Sequence, residues 1–315
     1  MRVSVVVPIL NEEGNVPRLY ARVRGELEKV SPDFELIFVD DGSTDRSAAA
    51  VADLHDSDPR VKLVSFSRNF GYQMALTAGL DHSSGDAVVI MDGDLQHPPS
   101  LLPALLEKWQ EGFEVVHTIR RSTADASGLR RTAGDAFYSL FRRLSRIDLP
   151  ANTADFRLLD RKVVRALGDI RERTRFLAGL TVWTGFRSTS VTYEAPAREE
   201  GVTKFTGARI ARLALDALVS FSTVPLHLAV YVGTILAALG FLYSLYALWE
   251  RFASGTVLPG WTSIVMLVAI VGGIQLMLIG VLGVYLGKIY EEVKQRPLYL
   301  VRASIGLGER PVEKT

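Results

Sequence analysis

The sequence predicts an α/β protein, with a mostly parallel, doubly wound sheet followed by amphipathic helices and a two-helix transmembrane hairpin. Three observations carry this prediction. Up to residue 223, short apolar runs rich in β-branched residues alternate with segments of helical period. Polar and charged residues collect at the ends of those runs, where open parallel sheets bind ligands. Beyond that point, 224–249 and 256–287 contain no Asp, Glu, Lys or Arg. Each exceeds the ~20 residues that a membrane helix needs.

Val3–Ile9 reads as the first strand, and Asn11-Glu12-Glu13-Gly14-Asn15 as a polar loop. Val16, Leu19, Tyr20, Val23, Leu27 and Val30 then recur at helical spacing. Phe34–Val39 is a second strand, ending in Asp40, Asp41 and Gly42; Thr44 or Asp45 is the expected N-cap of the next helix. Val61–Phe66 is a third strand and leads into Ser67-Arg68-Asn69-Phe70-Gly71. Gln73–Leu80 fits a short helix, and Ala87–Met91 is a fourth, buried strand.

That fourth strand runs into Asp92, Asp94 and Gln96, within AVVIMDGDLQHPP. Two carboxylates at one strand end repel each other and cost desolvation unless a cation lies between them. An oxygen-rich site of this kind suits Mg²⁺ or Mn²⁺, which also takes oxygens from a substrate diphosphate. Asp40, Asp41, Arg68 and Asn69 fall at strand ends as well, so these residues are expected to share one edge of the sheet.

Ser100–Gln110 is helical, and Glu114–Ile119 is a strand that ends in Arg120-Arg121. Leu129–Ile147 has a helical period and carries Arg130, Arg131, Arg142, Arg143 and Arg146. Such a helix is a solvated face, a membrane-surface element or a phosphate holder. Ala154–Leu159 contains a lone Asp155 followed by Arg157. Arg161–Leu167 is helical, Arg187–Tyr193 alternates like a strand, and Arg198–Lys204 is a polar loop. Phe205–Ser222 is amphipathic and precedes the uncharged runs. Lys204, Arg209 and Arg212 precede the first run, and Lys288, Lys294, Arg296 and Arg302 follow the second. The connector, 250–255, holds only Arg251 among the basic residues. The positive-inside bias then puts both termini and the soluble domain in the cytoplasm, in a multi-pass plasma-membrane protein. Gly233, Gly240, Gly272, Gly273, Gly280 and Gly283 allow close helix packing, between spans or in a homo-oligomer.

Composition excludes some classes. The chain has 36 Lys+Arg against 35 Asp+Glu, a balance that names no charged partner, and nucleic acid is not expected. With 0 Cys, disulfides and thiolate zinc sites are excluded. His55, His82, His97, His117 and His227 lack metal-ligand spacing and read as incidental. Met1 leads straight into the first strand, with no secretory signal visible.

The ordered set SVVVPILNEEGNV, IFVDDGSTD, SRNFGYQMALTAGL and VVIMDGDLQHPP resembles the family 2 glycosyltransferases of GT-A fold. The basic helix, ADFRLLDRKVV, REEGVTKF, the two uncharged runs and RPLYLVR are similar to the polyisoprenyl-phosphate glycosyltransferases, the undecaprenyl-phosphate glucosyltransferase type in particular. The resemblance covers nearly the whole chain. It implies a GT-A domain over 1–204, an interface helix over 205–223, a hairpin over 224–290 with spans at 224–249 and 262–287, and a cytoplasmic tail over 291–315. It also implies residue roles. Pro8, Leu10, Asn11, Glu13, Asp40 and Asp41 match nucleotide-contacting positions, and Arg68, Asn69, Asp92 and Gly93 are grouped with them. Asp92, Asp94 and Gln96 match metal and diphosphate positions, with Asp94 counted as catalytic. Arg120, Arg131 and Lys204 match phosphate-holding positions, and spacing does not choose between Arg130 and Arg131. Asp155 matches the position assigned as catalytic base. A lipid phosphate, with a second pKa near ~6, is already a nucleophile at neutral pH. Asp155 therefore has a second reading, orienting Arg157, Lys204 or the sugar hydroxyls, and a third as an ordinary ion-pair or capping residue.

The expected activity is inverting transfer of a sugar, glucose first, from a UDP-sugar to a polyprenyl phosphate, with Mg²⁺ or Mn²⁺. A processive polysaccharide synthase is disfavoured, because a Gln-x-x-Arg-Trp motif and further spans are missing. A non-catalytic nucleotide-sugar-binding membrane module is the rival from another class, and the intact Asp92, Asp94 and Asp155 argue against it.

Overall fold

A computed structural model describes residues 1–121, 153–173, 175–194, 224–254 and 260–307. The described residues form two compact units, one holding those up to 194 and again from 296, the other those from 224 to 295.

The first unit is built on one sheet. In chain order it contains β1 (Val3–Ile9), α1 (Asn15–Val30), β2 (Phe34–Asp40), α2 (Ser47–Ser57), β3 (Val61–Phe66), α3 (Tyr72–His82) and β4 (Ala87–Ile90). Then follow α4 (Leu102–Gln110), β5 (Val115–Arg121), β6 (Thr153–Asp160), α5 (Arg161–Asp169), α6 (Leu177–Trp183), β7 (Ser188–Glu194) and, after the second unit, β8 (Val301–Ile305). The strand order is β7-β5-β6-β4-β1-β2-β3-β8.

β1 and β2 are buried at every residue, because helices cover both faces of the sheet. Alternation sorts the side chains. Val5, Val7, Leu36 and Phe38 pack with Val16, Leu19, Val23 and Leu27 of α1 and Leu105 of α4. Ile37 and Val39 point the other way, onto Ala75 and Ala78 of α3. β1 pairs in parallel with β2 on one side and β4 on the other, and β3 continues outward from β2. The direction of winding reverses at β1, so a crevice opens beyond the carboxyl ends of β1 and β4.

The sheet is mixed rather than wholly parallel. β6 runs antiparallel to β4, with Ile90 opposite Arg157, so the start of β6 lies beside the carboxyl end of β4. β8 runs antiparallel to β3, with Leu63 opposite Ile305. Residues 301–305 are thus an edge strand, where the sequence reading has a tail. Just before it, Tyr299 stacks on Phe66 at 5.1 Å and donates a hydrogen bond to Asp81 Oδ2 at 2.8 Å. The start of α2 also differs from expectation. Thr44 and Asp45 precede the helix, which begins at Ser47, because this stretch is used to hold the loop after β1.

In the second unit, α7 (Val224–Ser254) and α8 (Trp261–Val293) are long helices. They touch, with Leu278 Cδ1 3.9 Å from the Cβ position of Gly233. Leu239, Phe241, Trp249, Leu276 and Ile279 are among their exposed apolar side chains. Among the described residues one segment, Ile270–Val293, is long and apolar enough to cross a membrane, and Val230–Tyr243 is apolar but shorter. One span therefore stands on length and composition, where the sequence reading expects two. The amphipathic segment 205–223 lies outside the described residues.

Two stability predictions arise here. Gly42, at φ +77°, has its Cβ position 2.6 Å from Arg68 C and 2.7 Å from Asn69 N. Left-handed backbone and a backbone clash then combine, so Gly42→Ala is expected to lower stability by about 2 kcal/mol or more, read by denaturant unfolding. Glu35 on β2 is fully buried and accepts from Ser4 Oγ at 2.5 Å, Ser84 N–H at 2.6 Å and Lys62 Nζ at 2.6 Å. Burial pushes its carboxyl up, but Lys62, Ser4 and Ser84 outweigh this and bring it from 4.5 to about 2. The resulting stabilisation is present above pH ~4.5 and is lost as the pH falls toward 2. Glu35→Gln is expected to cost up to about 3 kcal/mol at pH 7. It should also flatten that part of the acid limb in unfolding titrations between pH 7 and pH 3.

Candidate active site

The first wall is made by the loops after β1 and β2. Asn11 takes a left-handed conformation, φ 56°, which Asn tolerates well. Its Oδ1 accepts the Thr44 N–H at 2.8 Å, and its own N–H donates to Ser43 Oγ at 3.0 Å. Glu13 Oε2 accepts the Arg46 N–H at 2.9 Å, and Asp45 Oδ2 accepts the Glu13 N–H at 3.2 Å. The two loops are thus held together by side chain-to-backbone bonds. Pro8 is buried in β1, while Leu10 is half-buried and Asn11 and Glu13 are exposed at its end.

Asp40 and Asp41 form the floor, both buried. The Asp40 carboxylate accepts within the fold from Ser43 N–H at 2.9 Å and Ser65 Oγ–H at 2.8 Å. Asp41 holds the loop after β3, accepting the Phe70 N–H at 2.7 Å and the Gly71 N–H at 3.0 Å. Burial pushes its carboxyl up, against these two backbone donors; Asp40 adds repulsion and Arg68 partly relieves it. Arg68 and Asn69 are exposed, with the Arg68 guanidinium 4.0 Å over the Phe70 ring.

The loop after β4 carries the acidic centre. Gly93 is buried, its Cβ position 3.1 Å from Ile9 Cγ2 and 3.2 Å from Pro8 O, which ties this loop to the end of β1. Leu95 takes φ 63°, turning the chain so that Asp94 Oδ1 accepts the Gln96 N–H at 3.1 Å. Asp92 Oδ1 accepts from the Tyr72 hydroxyl at 2.6 Å. Burial pushes the Asp92 carboxyl up. His97 and the Tyr72 bond ease this, while Asp155 and Asp94 add like-charge repulsion.

Asp155 comes from the start of β6. Its Oδ1 lies 2.5 Å from Arg157 Nη2. Arg157 is 1% exposed, and its Nε and Nη1 have no hydrogen-bond partner among the described residues. Opposite it on β5 sits His117, lowered to about 4 by burial and by the Arg157 charge. Arg120 is exposed near the end of β5, across from Tyr193. Burial pushes the Tyr193 hydroxyl up; Arg120 opposes this, and Asp92 and Asp94 add to it. Arg120 therefore belongs to the same rim.

The start of β6, with Asp155, lies beside the end of β4 that leads into Asp92 and Asp94, and Arg120 stands opposite Tyr193, whose ring meets His97 of the same loop. The loops carrying Asn11, Glu13 and Asp41 stand at the neighbouring strand ends. Arg130, Arg131 and Lys204 lie outside the described residues. Two residues escape the sequence reading. Tyr72 sits unremarked at the start of α3, and His97 reads as incidental yet faces Asp92. The sequence signal for both was membership of the motif strings themselves.

The donor set suits a hard divalent cation in kind. Asp92 and Asp94 offer only oxygen, and their mutual repulsion is what a cation relieves. No group of three or more His, Cys, Asp or Glu side chains is placed to hold a metal alone among the described residues. Further oxygens would come from the substrate and from Gln96.

Comparison with known proteins adds a family. The family model described as glycosyl transferase family 2 matches residues 4–168. An uncharacterized glycosyltransferase of Synechocystis is 40% identical over 314 residues, covering 100% of this chain and 99% of that protein. The SfII prophage-derived bactoprenol glucosyl transferase of Shigella flexneri is 40% identical, covering 96% of this chain and 98% of its own. Among solved structures, glucosyl-3-phosphoglycerate synthase from Mycobacterium tuberculosis aligns with a TM-score of 0.49 at 21% identity, covering 70% of this chain and 80% of that one. With strand-end carboxylates on a mixed α/β sheet and a family match over more than half its length, this chain belongs to glycosyl transferase family 2.

Proposed function

We propose that the chain transfers a hexosyl group, glucose in the first instance, from a UDP-sugar to a polyprenyl phosphate at the cytoplasmic face of the plasma membrane, with inversion at the anomeric carbon. The observation that carries this reading is 40% identity to a bactoprenol glucosyl transferase along 96% of the chain. The acidic crevice at the sheet's switch point supports it chemically.

In this reading the loops carrying Asn11 and Asp41 receive the nucleoside, with Pro8, Leu10, Glu13, Asp40, Arg68 and Asn69 shaping or supporting that pocket. Asp92, Asp94 and Gln96 are the residues that would hold Mg²⁺ or Mn²⁺, and Gly93 lets their loop pack on β1. A bound divalent cation supplies neutralisation of the charge that develops on the departing diphosphate. Arg120, with Arg130, Arg131 and Lys204, receives phosphate groups. Asp155 orients the acceptor side of the site, itself gripped by Arg157. An oxygen of the lipid phosphate attacks the anomeric carbon, the bond to the diphosphate breaks, and the diphosphate leaves on the opposite side. No proton has to be removed from a dianionic phosphate.

The membrane part of the proposal is a two-span hairpin with both termini inside. The uncharged runs 224–249 and 256–287 support it, as do the basic residues that flank them. The test is a donor screen with undecaprenyl phosphate, scored by radiolabel that moves from a nucleotide sugar into the organic phase. Label from UDP-glucose is the expected result. Tight UDP binding without transfer from any donor would overturn the proposal in favour of a binding module.

A further inference from the structure

The 92–97 loop and β6 are joined by one side chain. His97 is 6% exposed, and its Nδ1 accepts the backbone N–H of Asp92 at 3.0 Å. An accepting Nδ1 puts the ring proton on Nε2. Nε2 stands 3.6 Å from Asp92 Oδ2, so the imidazole meets the same aspartate at its backbone and at its carboxylate. The other carboxylate oxygen is held by the Tyr72 hydroxyl at 2.6 Å. The imidazole also stacks on Phe156 at 5.2 Å and 17°, with the Tyr193 ring edge-on at 6.5 Å. Phe156 lies between Asp155 and Arg157 on β6.

We infer that His97 is a positioning residue that fixes the Asp92 carboxylate relative to Asp155, through its two approaches to Asp92 and its stack on Phe156. This rests on the reading of Asp92 as a ligand for a divalent cation and diphosphate. A carboxylate bonded by Tyr72 at one oxygen and bordered by the imidazole at the other has less rotamer freedom to lose on binding, and partners that orient metal ligands are worth roughly 10–100-fold in affinity. The contacts of the imidazole are with Asp92, Phe156 and Tyr193. The stack ties the imidazole to β6, the strand in which Phe156 directly follows Asp155.

The test is calorimetric titration of the full chain with UDP, with and without Mn²⁺. His97→Phe keeps a ring for Phe156 but has no nitrogen. It is expected to weaken Mn²⁺-dependent UDP binding ~10-fold or more, leaving metal-free UDP binding within ~2-fold. His97→Asn has an oxygen that can accept the Asp92 N–H, without the ring, and is expected to recover part of the loss. His97→Phe that binds UDP·Mn²⁺ like the wild type overturns the inference. If the Phe variant fails to fold, His97→Asn and His97→Gln decide it. Tighter binding by Asn supports the inference, and equal affinities overturn it. A wild type in which Mn²⁺ leaves UDP affinity unchanged overturns the metal reading first, and this inference with it.

Discussion

Asp94→Asn is expected to abolish transfer, lowering the rate by at least ~10³-fold, and saturating chelator should do the same to the wild type. The change preserves shape. Asn still has an oxygen to accept the Gln96 N–H, which Asp94 Oδ1 accepts at 3.1 Å, so the Leu95 turn should survive. It removes one of the negative charges now crowded around Asp92. A site built to hold a divalent cation needs that charge; one built only to shape a loop does not. The two cases separate in radiolabel transfer and in UDP titration with Mn²⁺, both made on protein of normal thermal stability. Full activity of Asp94→Asn in saturating chelator would sink the metal assignment.

Asp155→Asn has the second-largest expected effect, and the shape of the pH profile matters more than its height. The rate should fall on the order of 10²-fold, while the acid limb near pH ~6 stays where it is, because that limb belongs to the lipid phosphate. The structural reason is the Arg157 guanidinium, which is buried in β6 and takes Asp155 as its ion-pair partner at 2.5 Å. An oxygen used to compensate a buried cation is suited to holding position. Neutralising it leaves Arg157 under-compensated, so a loss of up to about 3 kcal/mol in stability should accompany the loss in rate. Single-turnover transfer across pH 5–9, with donor binding measured separately, checks both. An acid limb that vanishes in the Asn variant while donor binding is unchanged would make Asp155 the titrating group and its role that of a base.

Much of the site was legible because β-α alternation carries its own geometry. Once Val3–Ile9, Phe34–Val39 and Ala87–Met91 are read as parallel strands, Asn11, Asp41 and Asp92 fall at the same edge. The less legible residues work through partners distant in sequence. Asp40 ends its strand as Asp92 does, and its carboxylate also anchors Ser43 and Ser65. Thr44 and Asp45 look like helix caps but bind the loop after β1. His97 has no metal-ligand spacing because it approaches an aspartate and stacks on a ring. Single-residue chemistry cannot distinguish a polar group aimed at solvent from one already satisfied inside the fold.

By itself, the sequence determined the parallel β-α core, the strand ends that carry carboxylates, the family resemblance and the uncharged runs. All of these depend on local period and composition, which hydrophobic burial enforces residue by residue. Tertiary structure alone decided the pairing of distant segments. The antiparallel insertion of β6 beside β4 brings Asp155 and Arg157 to the Asp-x-Asp loop, and the return of 301–305 closes the sheet against β3. A strand such as Thr153–Asp160, whose sequence suits either direction, acquires its role only from the neighbour it meets.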